Sequence, residues 1–473
     1  MRVTMTKKTL LLILLFSYLP SFLHQIWAQD LSELEARLDS VIEMNMESSH
    51  TPGLAYILVK DGEVVLKRGY GFTTLGEAIE HVNPDSTIFR IGSVTKTFTA
   101  LALLQLVDDG KINLHVDVNK YLTSIQVPNS YEAPITVHHL LTHTAGFDEI
   151  NGRRVFSEDQ LIPLDEFLED RLIRVREPGG FISYSTYSIA LAGLIVEEVS
   201  GMDLERYMKT KIWEPLEMTM TSIEPPESHH PFIAEGYEYR NGVNVPQPWE
   251  WYHTFPASSI NSTVTDMAQY MLMLLNKGSW NNNTILSNEM AMNMQTNQSN
   301  IHQEVEGFAY GFYEDFISGL TAYSHGGDML GYSGYLSLVP ELNMGIYVVH
   351  HHEGSRLRFN VLSTVMEYFG HTNESNHSEF EMRLKSDLSK FAGNYRWSTY
   401  CHSCTNSWLP DLEVLTVNDD YTLSGFGRTF FQVSPNLFRS TDGLRTMGFK
   451  EEKDGSIKYM SMGNTSTFEK VDD

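Results

Sequence analysis

Between Phe89 and Gly110 the chain reads FRIGSVTKTFTALALLQLVDDG, a run whose helical part is apolar on nearly every face. Such a helix cannot lie on a surface, so the rest of the fold must enclose it. The same run carries Ser93 and Lys96 three residues apart, a spacing that puts both on one face of a helix. Gly92 lets the chain turn sharply into that helix, which is expected to run to about Asp109 and end at Gly110. A lysine enclosed there loses the hydration that favours its ammonium, so its pKa falls and it can take a proton from the serine hydroxyl. The N-terminal end of the helix also favours charge developing on a nearby oxygen. Serine and lysine at this spacing are common on ordinary surface helices, so the pair alone does not establish chemistry.

The segments around this helix alternate in type. LSELEARLDSVIEMNMES has apolar residues at helical spacing, and GLAYILVKDGEVVLKRGYG holds two β-rich runs about Asp61-Gly62, a hairpin signature. From roughly Val137 to Asn276 helical patterns are broken by Pro- and Gly-rich loops. HGGDMLGYSGYLSLVPELNMGIYVVHHH reads as two β-rich runs joined by a turn at Pro340 to Asn343. Residues 371–390 are polar and nearly free of aromatics, as an interdomain linker tends to be. Beyond them, short strands separated by turn residues point to a small all-β barrel or sandwich over 391–473.

Lys7 and Lys8 precede an apolar run from Leu10 to Leu15, and Ala28 offers a small residue for cleavage. Residues 1–28 therefore read as a signal peptide, and the expected location is periplasmic or secreted. The 473-residue chain has a formal net charge of −26. Cleavage would remove Arg2, Lys7 and Lys8 and no acid, leaving −29. That surface repels nucleic acid and anionic lipid, and no later segment is apolar for long enough to span a bilayer. The two cysteines, Cys401 and Cys404, are too few for a zinc site and read as a small loop disulfide or two free thiols. Oligomeric state leaves no mark on composition.

Five segments together resemble the serine β-lactamase and penicillin-binding-protein superfamily, on the branch of class C β-lactamases, D-alanyl-D-alanine carboxypeptidases and esterases. They are the Ser93 run extended to Leu122, then ITVHHLLTHTAGF, EPGGFISYSTYSIALAGLIVEEVSG, IWEPLEMTMT and HGGDMLGYSGYLSLVPE. Order and spacing follow that family over roughly Leu54 to Val349. The resemblance implies an α+β fold over 29–370, an antiparallel sheet flanked by helices with a helical subdomain. It implies a C-terminal lipocalin-like β-barrel over 391–473.

By the same resemblance, Ser93 is the acylated nucleophile and Lys96 its base. Tyr184 would relay a proton to the leaving group, its phenol made easier to ionise by the neighbouring ammonium. The backbone N–H groups of Ser93 and Asp328 would form the oxyanion hole. His325, Gly326 and Gly327 stand where many relatives have Lys-Thr-Gly, and the glycines would let a substrate lie along the strand. Two positions depart from the pattern. Thr186 replaces an asparagine two residues after the tyrosine, on a segment read as extended. His325 replaces a fixed positive charge with one expected to titrate near neutrality. Neither metal nor cofactor is implied.

These features support an exported serine hydrolase acting on peptides that end in D-amino acids, peptidoglycan fragments or esters. A class C-like β-lactamase and a non-catalytic cell-wall-binding or sensing protein are the competing readings. His138, His139 and His143 read as a structural segment, His350 and His352 as a solvated strand end, and Tyr310 as core rather than cleft.

Overall fold

The computed structural model describes residues 31–76, 79–354, 356–371, 384, 386–405, 409–463 and 465–471. The expected signal peptide and most of the expected linker lie outside these residues. The chain has an α+β fold followed by a closed β-barrel. Its first elements are a helix over residues 31–49 (α1) and the strands Gly53–Lys60 (β1) and Glu63–Gly71 (β2). Asp61 and Gly62 join the strands with φ of 53° and 89°, both positive as a two-residue type I′ turn requires. The helices Thr95–Asp108 (α2), Val137–Leu141 (α3), Thr186–Ser200 (α4) and Val264–Leu275 (α5) follow. The chain then returns to the sheet with Tyr313–Ile317 (β3), Leu320–Met329 (β4), Tyr332–Val339 (β5) and Met344–His350 (β6). Helix Leu357–Tyr368 (α6) ends this part.

The sheet is antiparallel throughout, in the order β3-β4-β5-β6-β1-β2. Alternation along β1 divides the core in two. Leu54, Tyr56 and Leu58 pack with α1 and α6, whereas Ala55, Ile57 and Val59 face α2, α4 and α5. Helix α2 lies inside this second layer, with Phe98 and Leu101 to Leu104 fully buried, which explains its apolar circumference. Each buried leucine there contributes about 1.5–3 kcal/mol.

Two local expectations change. The run HGGDMLGYSGYLSLV forms two strands, with β4 and β5 turning at Leu330-Gly331 where Gly331 has φ 76°. His350 and His352 are buried, because Tyr237 bridges to His352 and covers the end of β6.

Eight strands make the barrel: Gly393–Trp397 (β7), Leu412–Val417 (β8), Thr422–Gly425 (β9), Arg428–Ser434 (β10), Leu437–Ser440 (β11), Thr446–Glu451 (β12), Ile457–Ser461 (β13) and Thr467–Val471 (β14). Consecutive strands pair, and β7 pairs with β14 to close the ring, so no sheet edge is left open. The core begins at Leu388 and is filled by rings, Phe391, Phe438 and Phe449 lying 4.8–5.3 Å apart. The barrel docks on two loops of the α+β part. Phe181 stacks on Tyr459 with ring centres 4.2 Å apart, Lys450 donates to Gly180 O, and Arg439 pairs with Glu304 at 2.7 Å.

Candidate active site

Residues Gly92–Val94 form a tight turn that leads directly into α2. Gly92 has φ 54°, and a Cβ there would lie 3.1 Å from the backbone nitrogen of Asp328. The turn and strand β4 are therefore in direct contact, and at this positive φ a side chain would be both strained and crowded against the strand. From the second residue of the helix, Lys96 Nζ donates to Ser93 Oγ at 3.0 Å and to the Ala257 carbonyl at 2.9 Å. Lys96 is only 1% exposed. Burial drives its pKa down from 10.5 to about 7, with Glu149 opposing the shift and Arg153 adding to it. An amine with that pKa is largely free base just above neutrality.

Tyr184 completes a compact group. Its hydroxyl lies near enough to Ser93 to favour the ionised phenol, and Lys96 Nζ lies 5.1 Å from its ring centre. Burial pushes the phenol well above its usual range, although Ser93 acts in the opposite direction. The expected assistance to ionisation from the neighbouring ammonium is thus outweighed, and Tyr184 remains a proton donor at neutral pH. His143 stacks on its ring at 4.5 Å and accepts the Ser185 N–H on Nδ1 at 3.0 Å. Sequence reasoning set His143 among three structural histidines, and in the fold it supports the phenol. His138 bonds the Tyr310 hydroxyl at 2.9 Å, and His139 caps α3 through Thr136.

Strand β4 supplies the opposite wall. Its residues alternate, so Gly327 faces Ile91 and Val94 of the Ser93 turn while Gly326 faces Tyr313 and Tyr335, and the His325 ring lies 6.1 Å from that of Tyr184. His325 is 1% exposed, and burial, aided by Lys96, lowers its pKa to about 3. It does not titrate near neutrality as expected. Its Nδ1 lies 2.7 Å from Gly326 O, which only a donor N–H can satisfy, so Nε2 carries a lone pair. That nitrogen is buried and has no protein partner. Asp328 pairs with Arg358 at 2.7 Å and accepts from Ser333.

Thr186 is the first residue of α4 rather than part of an extended segment. Its N–H donates to Glu149 Oε1 at 2.8 Å, and Glu149 also pairs with Arg153. Glu149 therefore links the helix start to the charge balance around Lys96, a role that no local pattern in the sequence marks. The structure brings together Ser93, Lys96, Tyr184, His325, Gly326, Gly327 and the backbone of Asp328, with Thr186 at the margin.

The described residues contain no cluster of three or more histidine, cysteine or acidic side chains that could hold a metal. No described helix is long and apolar enough to cross a membrane.

Comparison with known proteins agrees with this geometry. The protein Flp of Staphylococcus aureus strain MRSA252 is 26% identical over 328 residues, 67% of this chain and 63% of that protein. The chain thus matches somewhat under two thirds of that relative's length. Esterase EstB of Burkholderia gladioli is 30% identical over 239 residues, 46% of this chain and 60% of the esterase. The octameric penicillin-binding protein homologue of Pyrococcus abyssi superposes on 92% of this chain and 99% of its own, with a TM-score of 0.63 and 26% identity. SurE covers 93% of this chain at a TM-score of 0.64 and 17% identity, a likeness of fold alone. The family profile described as Beta-lactamase matches residues 38–365, and the chain belongs to that serine hydrolase family.

Proposed function

We propose that this protein is an exported serine hydrolase that forms an acyl-enzyme on Ser93 and acts on esters or on peptides ending in D-amino acids. The observation that carries the reading is the 3.0 Å contact between Ser93 Oγ and the buried Lys96 amine, whose pKa lies near neutrality. In the first step neutral Lys96 takes the Ser93 proton as Oγ bonds to the substrate carbonyl carbon. Charge moves onto the carbonyl oxygen, which the Ser93 and Asp328 N–H groups stabilise. Collapse of this adduct breaks the bond to the leaving group, to which Tyr184 delivers a proton, recovering one from Lys96. Water then attacks the acyl-enzyme by the same route in reverse, and the acid leaves with Ser93 restored.

The neutral His325 bears on substrate class. A ring held uncharged with a bare Nε2 offers an acceptor, not a cation, beside the nucleophile. Arg153 and Arg358, the guanidinium groups near the site, are already paired with Glu149 and Asp328. An acyl group with an uncharged leaving portion suits this wall better than one with a carboxylate beside the scissile bond.

A fluorophosphonate probe tests the reading. Wild-type protein should be labelled and Ser93→Ala should not. Equal labelling of the two abandons the assignment.

A further inference from the structure

The barrel does more than follow the hydrolase part in sequence. Its loop Ser398–Cys404, closed by the Cys401–Cys404 disulfide, lies against the segment that carries Tyr184. Three contacts define the arrangement. The Thr399 hydroxyl donates to the Tyr184 carbonyl at 3.4 Å. Arg176 reaches from the hydrolase part to Ser398 O at 3.0 Å, to His402 Nε2 at 2.8 Å and to Glu469 Oε2 at 3.0 Å. The Asp148 carboxylate, fully buried, accepts the backbone N–H groups of His402 at 2.7 Å and Ser403 at 2.9 Å.

Asp148 immediately precedes Glu149, which holds the start of α4 two residues after Tyr184. The tyrosine lies in a stretch with neither helix nor strand, residues 181–185. Its neighbours Ser183 and Ser185 are tied through their N–H groups to His143 alone. The barrel loop grips both sides of that stretch, at the Tyr184 carbonyl and, through Asp148, at the Glu149 that caps α4. A disulfide across four residues keeps the two donating N–H groups presented together, since closing a short loop removes most of its alternative conformations.

We infer that the disulfide-closed loop of the barrel is a positioning element of the acyl-transfer site, holding the Tyr184 phenol on Ser93 through Asp148 and the Tyr184 backbone. This rests on the reading above, in which Tyr184 protonates the leaving group. Proton delivery demands placement within a fraction of an ångström, so a loosened loop slows acylation where the leaving group needs the phenol's proton and spares acylation where it does not.

That selectivity supplies the test. A p-nitrophenolate group departs without a proton, whereas an alkoxide cannot. Full-length Asp148→Asn and the double variant Cys401→Ser/Cys404→Ser are assayed on a p-nitrophenyl ester and on the methyl ester of the same acid. Asparagine keeps the shape of Asp148 but presents an amide N–H to one of the two loop donors. Both variants should lose about 10- to 100-fold on the methyl ester in kcat/KM, which reports acylation alone and not the hydrolysis of the acyl-enzyme the two esters share, and less than about threefold on the p-nitrophenyl ester. Should either variant fail to fold, Thr399→Val against Thr399→Ser repeats the comparison, with the serine restoring activity. Equal losses on both esters, or none on either, overturn the inference. Fluorophosphonate labelling of Ser93→Ala at the wild-type rate overturns instead the reading beneath it.

Discussion

A methyl group added at Gly327 would lie 2.0 Å from the carbonyl oxygen of Ile91, two residues before Ser93. No rotamer relieves that contact, because both partners are backbone or fixed to it. Strand β4 can therefore approach the Ser93 turn only while position 327 carries no side chain. Gly327→Ala should push the strand away, lowering kcat/KM by about 100-fold, a loss expected for displacements near 1 Å at a reacting centre. Stability should fall by about 1–3 kcal/mol. Ester turnover and a urea melt check both, and an alanine variant with unaltered turnover contradicts the packing described.

Buried Lys96 ties rate to pH. With its pKa near 7, kcat/KM should rise as the amine loses its proton and level off above about pH 8. The stability effect has the same sign over a higher window. Between about 7 and 10.5 the unfolded chain holds a proton on this lysine that the folded chain does not, so stability from this group grows with pH across that window. Lys96→Met should abolish turnover yet stabilise the fold at pH 7 by on the order of a few kcal/mol, the gain shrinking toward pH 10.5. Thermal melts of the two proteins at pH 7 and 10 measure it. A variant less stable than wild type at pH 7 refutes the dry-amine account.

The Ser93 segment was legible because its spacing and apolarity are local. Ser93 and Lys96 share a helical turn, and an apolar circumference has no explanation other than enclosure. Asp61-Gly62 was legible for the same reason, since a turn writes its conformation into two residues. Leu330-Gly331 was not, because its flanks are as β-rich as the strands themselves and a turn within a continuous apolar run carries no composition change. The three histidines after Val349 read as solvent-facing on polarity alone, yet a segment more than a hundred residues earlier covers them. Asp148 is the extreme case. Its partners His402 and Ser403 lie about 250 residues away, and no pattern around GFDEI distinguishes a carboxylate that anchors another domain's loop from one in water.

Several histidines are buried without charge, and this sets an acid limit. Burial lowers His139 and His351 to about 4, His325 and His350 to about 3, and His143 well below its usual value. As pH falls below 6.5 the unfolded chain takes up these protons and the folded chain does not, so stability drops with pH between about 6.5 and 4. Each group contributes up to about 1.4 kcal/mol per pH unit in that range. No well-formed hydrogen bond reaches either His350 ring nitrogen from the described residues, so His350→Leu removes one titrating group at little cost in hydrogen bonding. The variant should bind about one proton fewer on unfolding at pH 5, read from the pH slope of its stability. A wild-type stability that is flat from pH 6.5 to 4.5 would remove the basis for this expectation.

His325 offers the sharpest test of substrate class. The wild-type enzyme should turn over a D-alanyl peptide amide or methyl ester at least about tenfold faster, in kcat/KM, than the free acid, because Arg153 and Arg358 are already paired and the His325 ring carries no charge to set against a carboxylate. His325→Lys places a cation on the same face of β4. It should narrow or reverse that preference, since a carboxylate paired with an ammonium gains a charge-assisted hydrogen bond. The second ammonium also disfavours charge on Lys96, so the acid limb of the rate profile should move to lower pH. Paired kcat/KM measurements on acid and amide across pH 5–9 report both effects. A wild-type preference for the free acid, or a lysine variant with neither change, would show that position 325 does not face the leaving portion of the substrate.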